Sequence, residues 1–441
     1  MSIQVSLFRG ALLAIIVAVG WRYIQYREVP CSTGTSTNSS VEDGTVLSVL
    51  SVFGPVDPCA CFSETYEEAR SKFRKAASEA GFELFTLEIY KNYTTDVAFL
   101  GFVSDGLEHE HASRTNSSTS PSASASPYGT GRASSGRDLV VHTSGVHGVE
   151  GYAGSAIQIA FLKNFRHTSI TNPSQFPSIM LIHAINPYGM AHYRRVNENN
   201  VDLNRNGMHD FSQAIHQDPN LAGYVDFDHV FNPEKPFRFG FVMVLIRNVL
   251  QHGLAKLKTA LVTGQYHKPS GLTYGGTHLE ASNQKLYDFC KQFIATLAPL
   301  GKTTWVNVHT GLGRYGKDTI LLQSGAPATL RRAVANVFNE SLIPGATGGD
   351  DVHQGYHFMK GGTEDLMRPL FGSPDDWNVV QEFGTHSSIT VGRALILENM
   401  FHNHFRKPSQ LLRDAFYPGT PKWRSSILVR GLRVLKQAMG R

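Results

Sequence analysis

The feature that most constrains this chain is the stretch Leu139–Phe165, LVVHTSGVHGVEGYAGSAIQIAFLKNF. Leu139, Val140 and Val141 read as a buried strand, because branched apolar residues dominate there. Ser144, Gly145, Gly148, Gly151 and Gly154 follow, and a helical pattern begins near Ser155, with Ile157, Ala160, Phe161 and Phe165 recurring every three or four residues. Strand, tight turn and helix in that order form the unit of an open parallel sheet, which presents functional groups at the carboxyl ends of its strands. His147 and Glu150 sit at that edge, spaced so that two side chains of one helical turn face a common point. Imidazole and carboxylate both ligate zinc, and a catalytic zinc takes three protein ligands plus an open position. The plainer reading is that the pair only satisfies backbone groups in a glycine-rich turn.

The alternation continues along the chain. Tyr66–Gly81 predicts an amphipathic helix, with Ala69, Phe73 and Ala77 on one face and Gly81 as its stop. Strands are expected at Phe82–Tyr90, Val97–Val103, Ser178–Ile185, Thr259–Thr263, Lys302–His309 and Trp377–Phe383. Helices are expected at Phe239–Lys258, Ala281–Leu297, Ala328–Asn339 and Ile389–Arg406, while Met208–Phe237 shows no strong periodicity. Such alternation predicts an α/β fold, three layers α/β/α around a mixed, mostly parallel central sheet. The 441 residues suffice for a large core. We divide them into an N-terminal apolar segment with a polar linker (1–44), a main domain (45–410) and a C-terminal extension (411–441). The Ser/Thr/Pro/Gly-rich stretch 111–136 inside the domain has almost no large apolar side chains, so it is expected to be a mobile insertion outside the core.

Gly10–Trp21 is an uncharged apolar run between Arg9 and Arg22, shorter than the roughly 20 residues that span a bilayer. Flanking apolar residues and snorkelling arginines extend it, so the expectation is a membrane anchor or a secretory signal, with a mitochondrial presequence as the alternative. Sequons at Asn38, Asn92, Asn116 and Asn339 weakly favour a secreted or lumenal glycoprotein. Four cysteines are too few for a disulfide framework in a chain of this size. The net charge of +5 is mild, and no basic run with interleaved aromatics appears, so nucleic-acid binding is not expected.

His309 ends the strand Lys302–His309 and precedes Thr310-Gly311-Leu312-Gly313, repeating the local context of His147. Two histidines and a glutamate at strand ends fit a catalytic zinc set better than three separate packing roles. Glu382, in VVQEFGTHSS, also lies where a strand finishes, among Val379, Val380 and Phe383, and a carboxylate there can move a proton. Arg194, Arg195 and Arg205 are candidate anion-binding groups, because a guanidinium donates two parallel hydrogen bonds to a carboxylate.

The segments YEEARSKFRKAASEAGF, HTSGVHGVEGYAGSAIQ, HAINPYGMAHYRRVNENNVDLNRN, GQYHKPSGLTYGG, VNVHTGLGRYG and QEFGT together resemble the zinc metallocarboxypeptidase superfamily. Within it the chain is similar to the DUF2817 branch, near the succinylglutamate desuccinylase and aspartoacylase type, over residues 45 to 400. The resemblance implies a zinc-carboxypeptidase-like fold and one Zn²⁺ per chain, held by His147, Glu150 and His309. It implies Arg195 as the group that polarises the scissile carbonyl, Asn204 and Arg205 as the pair that holds the substrate carboxylate, and Glu382 as general base and acid. For the tyrosine that closes over substrate it leaves Tyr266 and Tyr274, of which Tyr274 is preferred because Gly271, Gly275 and Gly276 would let its loop move. The Ser-rich insertion and the apolar N-terminus depart from the family pattern, as does Gly207, which stands where an aromatic residue is common.

The implied activity is zinc-dependent hydrolysis of an amide bond next to a free carboxylate, in a peptide or an N-acyl amino acid. The expected form is a carboxypeptidase-type peptidase, with an N-acyl amino acid deacylase of the same fold as the alternative. A catalytically inactive, membrane-tethered binding or scaffold protein is the rival from another class.

Overall fold

The computed structural model describes residues 57–101, 136–165, 176–220, 222–234, 240–297, 300–323, 325–346, 361–371, 375–405 and 410–441. Within them β1 (Glu83–Tyr90), β2 (Tyr93–Leu100), β3 (Arg137–Ser144), β4 (Ser178–His183), β5 (Leu300–Tyr315), β6 (Asp318–Leu322) and β7 (Trp377–Gly384) form one sheet, in the order β1-β2-β4-β3-β5-β7-β6. Its centre, β4-β3-β5-β7, is parallel, and antiparallel pairs close it on both sides. Parallel strands are covered on both faces, which is why β4 reads SIMLIH without alternation and is buried throughout.

Helices cover both faces and complete the α/β/α sandwich. On one face lie α1 (Tyr66–Glu79), α2 (Gly151–Asn164), α7 (Ala328–Val337) and α11 (Pro421–Met439), which share a core with Val140, Leu181, Val306 and Val379. α1 starts where the Thr65 side chain accepts a hydrogen bond from the Glu68 amide, and its Tyr66, Ala69, Phe73, Ala76 and Ala77 are buried. The opposite face is covered by α6 (Ala281–Leu297) and the short α8 (Thr363–Met367), against Val97, Val141, Ile182 and Trp305. A third apolar cluster joins α4 (Phe241–His252), α5 (Leu254–Thr263), α9 (Ser388–Phe405) and α10 (Gln410–Phe416) to Val149, beside the carboxyl end of β3. A single turn, α3 (Pro187–Ala191), follows β4.

Four elements differ from expectation, the first being the helix expected at Phe239–Lys258, which Gly253 (φ 83) divides into α4 and α5. Thr259–Thr263 is the last part of α5, not a strand: Leu257 and Ala260 are buried at helical spacing, and tertiary packing outweighs the β propensity of Thr259, Val262 and Thr263. β5 does not stop at His309 but runs to Tyr315, because Gly311 (φ 142) and Gly313 (φ 112) bend it within the sheet. β6, which follows that bend, was not foreseen in the sequence.

The expectation of a membrane anchor is corrected: no helix among the described residues is long and apolar enough to cross a membrane. The run Gly10–Trp21 that motivated it lies outside those residues, as does the stretch 111–135 of the Ser-rich insertion. The membrane-anchored placement is withdrawn on that ground. Cys59 is disulfide-bonded, while Cys61 and Cys290 are free and buried.

The core contains two buried histidines that make stability depend on pH. His142 and His183 are fully buried, and burial lowers their pKa values to about 3 and about 4. His183 stacks on Phe73 and hydrogen-bonds Ser155 Oγ through Nε2 at 2.9 Å. Both remain neutral in the fold at pH values where the unfolded chain, with a histidine pKa near 6.5, takes up protons. Stability contributed by these neutral side chains is complete above about pH 6.5 and falls as pH drops toward 4, by about 1.4 kcal/mol per pH unit for each histidine. Urea-unfolding midpoints recorded between pH 7 and 4.5 are expected to fall accordingly, and His183→Asn is expected to flatten the slope. Parallel slopes for parent and variant would remove His183 from the account.

Candidate metal and hydrolytic site

β3, β5 and β7 are adjacent and parallel, so their carboxyl ends open on one edge of the sheet. After β3 the chain must turn sharply into α2. Gly145 takes a positive φ of 72°, and Gly148 packs so closely on α3 that a Cβ there would lie 2.1 Å from the Gly189 carbonyl carbon. The glycines thus bring His147 and Glu150 onto the sheet edge, where amides of Gly148 and Val149 donate to the Arg195 and Arg194 carbonyls. His309 reaches the same point from β5. Glu382 stands beside it, because the β5–β7 register pairs the two residues.

His147, Glu150 and His309 are all buried, and one ligand atom from each lies within 4.8 Å of the others. His147 Nδ1 is 3.1 Å from His309 Nδ1 and 3.1 Å from Glu150 Oε1, while His309 Nδ1 is 3.5 Å from Glu150 Oε2. Donor atoms bound at zinc–ligand distances around a tetrahedral ion lie about 3.4 Å from one another, so the spacing fits that metal. The chemistry of the donors fits as well. Asp202 Oδ1 sits 2.9 Å from His147 Nε2, which places the ring proton on Nε2 and leaves the Nδ1 lone pair facing the cluster.

Electrostatics bind the cluster to its surroundings. Burial opposes ionisation of Glu150, but His147 and Arg195 beside it hold its carboxyl well below the usual range. Arg195 donates to Glu150 Oε1 at 2.6 Å and to Asp202 Oδ2 at 3.2 Å. Asp202, fully buried, is likewise held ionised against its burial by His147, Arg195 and Arg205. Burial lowers the pKa of His309. Glu382 moves the other way, pushed up to about 8 by burial and by the Glu150 carboxylate. Its Oε1 accepts the Leu312 amide at 2.8 Å. Two carboxyls of one site are thereby driven in opposite directions, one fixed as an anion and the other able to carry a proton.

These groups open on a cavity of about 530 Å³, whose wall includes His147, Glu150, Arg195, Asn204, Arg205, His309 and Glu382. Seven of the nine expected site residues therefore meet there. The two tyrosines do not line it: Tyr266 donates its hydroxyl to the Arg205 carbonyl at 2.7 Å, and Tyr274 is buried. Arg205 is encumbered, since its Nε and Nη2 donate to the Val262 carbonyl and its Nη1 to the Asn204 carbonyl. Asn204 Oδ1 accepts the Thr363 amide. Arg194 is buried against Glu398 at 2.7 Å and serves the fold. Asp202 was missed in the sequence. The signal was present in VDLNRN, but nothing local tied an aspartate there to a histidine 55 positions earlier.

A His–Glu–His cluster able to hold a metal ion, next to a second carboxylate in a cavity, is the equipment of a metal-dependent hydrolase.

Residues 130–430 match the family model described as "Protein of unknown function (DUF2817)", well over half of the chain, and the protein belongs to that family. No curated protein matches it significantly. Among solved structures, bovine thrombin-activatable fibrinolysis inhibitor bound to tick carboxypeptidase inhibitor is 12% identical, with 86% of this chain and 99% of that one covered at a TM-score of 0.43. Carboxypeptidase A from Helicoverpa armigera is 11% identical, with 90% and 79% covered at a TM-score of 0.44. Murein-tripeptide amidase from Escherichia coli O157 is 16% identical, with 62% and 82% covered at a TM-score of 0.30. Likenesses this distant say nothing of substrate.

Proposed function

We propose that this member of the DUF2817 family is a zinc-dependent hydrolase of an amide bond next to a free carboxylate. The observation that carries the reading is the convergence of His147 Nδ1, His309 Nδ1 and the Glu150 carboxylate at 3.1 to 3.5 Å, with Glu382 alongside. Zinc bound there supplies Lewis-acid polarisation of the scissile carbonyl and lowers the pKa of water. Glu382 is the proton carrier: it accepts a proton from the attacking water and returns it to the leaving nitrogen. Burial and the Glu150 carboxylate together favour the protonated form of Glu382, and positive charge at the cluster would offset them, making the carboxylate form needed for the first transfer accessible. Arg195, held by Glu150 and Asp202 at the cavity wall, is the group that would stabilise the oxygen on which negative charge develops.

A carboxypeptidase-type peptidase and an N-acyl amino acid deacylase share this machinery. The half-enclosed cavity favours the second, since it offers room for one small molecule and no extended groove is needed to fill it. Arg205 and Asn204 line the wall, but their backbone bonds must loosen before they hold a carboxylate. Lys258 and Arg368 line the same cavity and are alternative partners for it.

Zinc added to metal-free protein is the direct test. At a hundredfold excess over Kd, binding to the folded state stabilises by about 2.7 kcal/mol, which for a chain of this size raises Tm by about 3 °C. His147→Ala is expected to abolish that rise, together with hydrolysis of N-acyl amino acids and short peptides. A parent protein that neither binds zinc nor hydrolyses either class would favour the inactive scaffold.

A further inference from the structure

The cavity is more apolar than an amide and a carboxylate require. Away from the metal cluster its wall is built from Leu245 and Val249 of α4, Leu257 and Leu261 of α5, and Val391 and Leu395 of α9. Three more apolar side chains line it while standing in solvent: Leu250 is 71% exposed, Leu254 49% and Ile389 43%. They make up half of the six large apolar side chains exposed among the described residues, and all three border this one cavity. Scattered exposed leucines mean little, but a group of them around a concave site marks where an apolar ligand enters. A volume of about 530 Å³ is far larger than an acetyl group needs and falls in the range that encloses a whole small ligand.

We infer that the substrate is an N-acyl amino acid with a long aliphatic chain. The chain lies between α4–α5 and α9, with its amide at the His147/Glu150/His309 cluster. This narrows the hydrolase reading above and rests on it. In the reaction the oxygen of water bonds to the acyl carbon as the C–N bond breaks, and the nitrogen takes up a proton. The products are a fatty carboxylate and a free amino acid, with no further reactant required. Each methylene transferred from water to the cavity wall is worth about a fourfold rise in kcat/KM, until the chain outgrows the cavity.

The test has two arms. The zinc-loaded full-length protein is assayed on N-acetyl-, N-octanoyl-, N-lauroyl- and N-oleoyl-glycine and on a dipeptide ending in phenylalanine. Separately, laurate binding is measured on the metal-free protein by calorimetry. The expected results are a steep rise from acetyl to lauroyl and saturable laurate binding without metal. Leu250→Asp, a surface change that leaves the core intact, is expected to weaken laurate binding at least tenfold. Leu261→Trp, which fills the wall, is expected to lower the lauroyl-to-acetyl rate ratio by a similar factor. Laurate binding without hydrolysis of any acyl chain would keep the chain site and overturn the hydrolase reading. Hydrolysis that ignores chain length, or prefers the dipeptide, with no laurate bound would overturn the chain site and keep the hydrolase.

Discussion

Glu382→Gln is expected to lower kcat by about a hundred- to ten-thousand-fold, the usual worth of a positioned proton carrier, while zinc affinity stays at the parental level. The two readouts separate because Glu382 is not part of the ligand cluster, which is complete with His147, Glu150 and His309. Glutamine keeps the shape of the side chain, and its carbonyl oxygen can still accept the Leu312 amide, so the β5–β7 edge is preserved. What it loses is the capacity to take a proton and give it back. Removing the carboxyl also removes the cost of a group that burial and Glu150 keep protonated in the fold while it ionises in the unfolded chain, so any change in folding stability near pH 7 should be toward greater stability. Steady-state kinetics on the best acyl substrate and zinc competition with a chromophoric chelator check both halves. A Gln variant with parental turnover would remove Glu382 from the chemistry.

The ease with which this site is read from sequence differs from residue to residue. His147 and Glu150 are legible because strand, glycine turn and helix are local patterns, and a turn that tight needs glycines at fixed places such as Gly145 and Gly148. His309 and Glu382 are legible as residues late in apolar strands. Their adjacency is not, because it comes from the β5–β7 register, a pairing across more than 70 positions. The cavity wall is further from reach. α4 and α5 carry apolar residues at helical spacing, but sequence does not say that this face meets α9 and α10 over the sheet edge. The two tyrosines lie off the cavity wall for a related reason. Glycines around Tyr274 suggested a moving loop, whereas Tyr274 is packed, with its carbonyl accepting the Asp202 amide, and Tyr266 fastens to the Arg205 carbonyl. At Thr259–Thr263 local propensity and packing disagree: a short β-branched run favours a strand, while the leucine spacing that leads into it carries the helix to Thr263.

Asp202→Ala is expected to weaken zinc binding by about 10–100-fold and to destabilise the fold by about 3 kcal/mol or more, even without metal. The aspartate performs two tasks from one buried position. Its Oδ1 fixes the His147 ring at 2.9 Å and accepts the Asn204 amide at 3.0 Å, and its Oδ2 accepts from Arg195 Nε at 3.2 Å. Without it the His147 ring loses the partner that selects its tautomer, so part of the population turns a protonated nitrogen toward the ligand cluster. Arg195 would then pair with Glu150 alone and compete more strongly for a carboxylate that the metal needs. Asp202→Asn separates the two tasks, because its amide oxygen can still accept from His147 while the charge facing Arg195 is gone. It should therefore retain more zinc affinity than the alanine variant yet lose a comparable share of stability. Chelator competition and urea unfolding of metal-free protein give the two numbers independently. Zinc bound by the alanine variant as tightly as by the parent would mean that His147 is oriented by the Gly145–Gly148 turn alone, and the role assigned to Asp202 would be withdrawn.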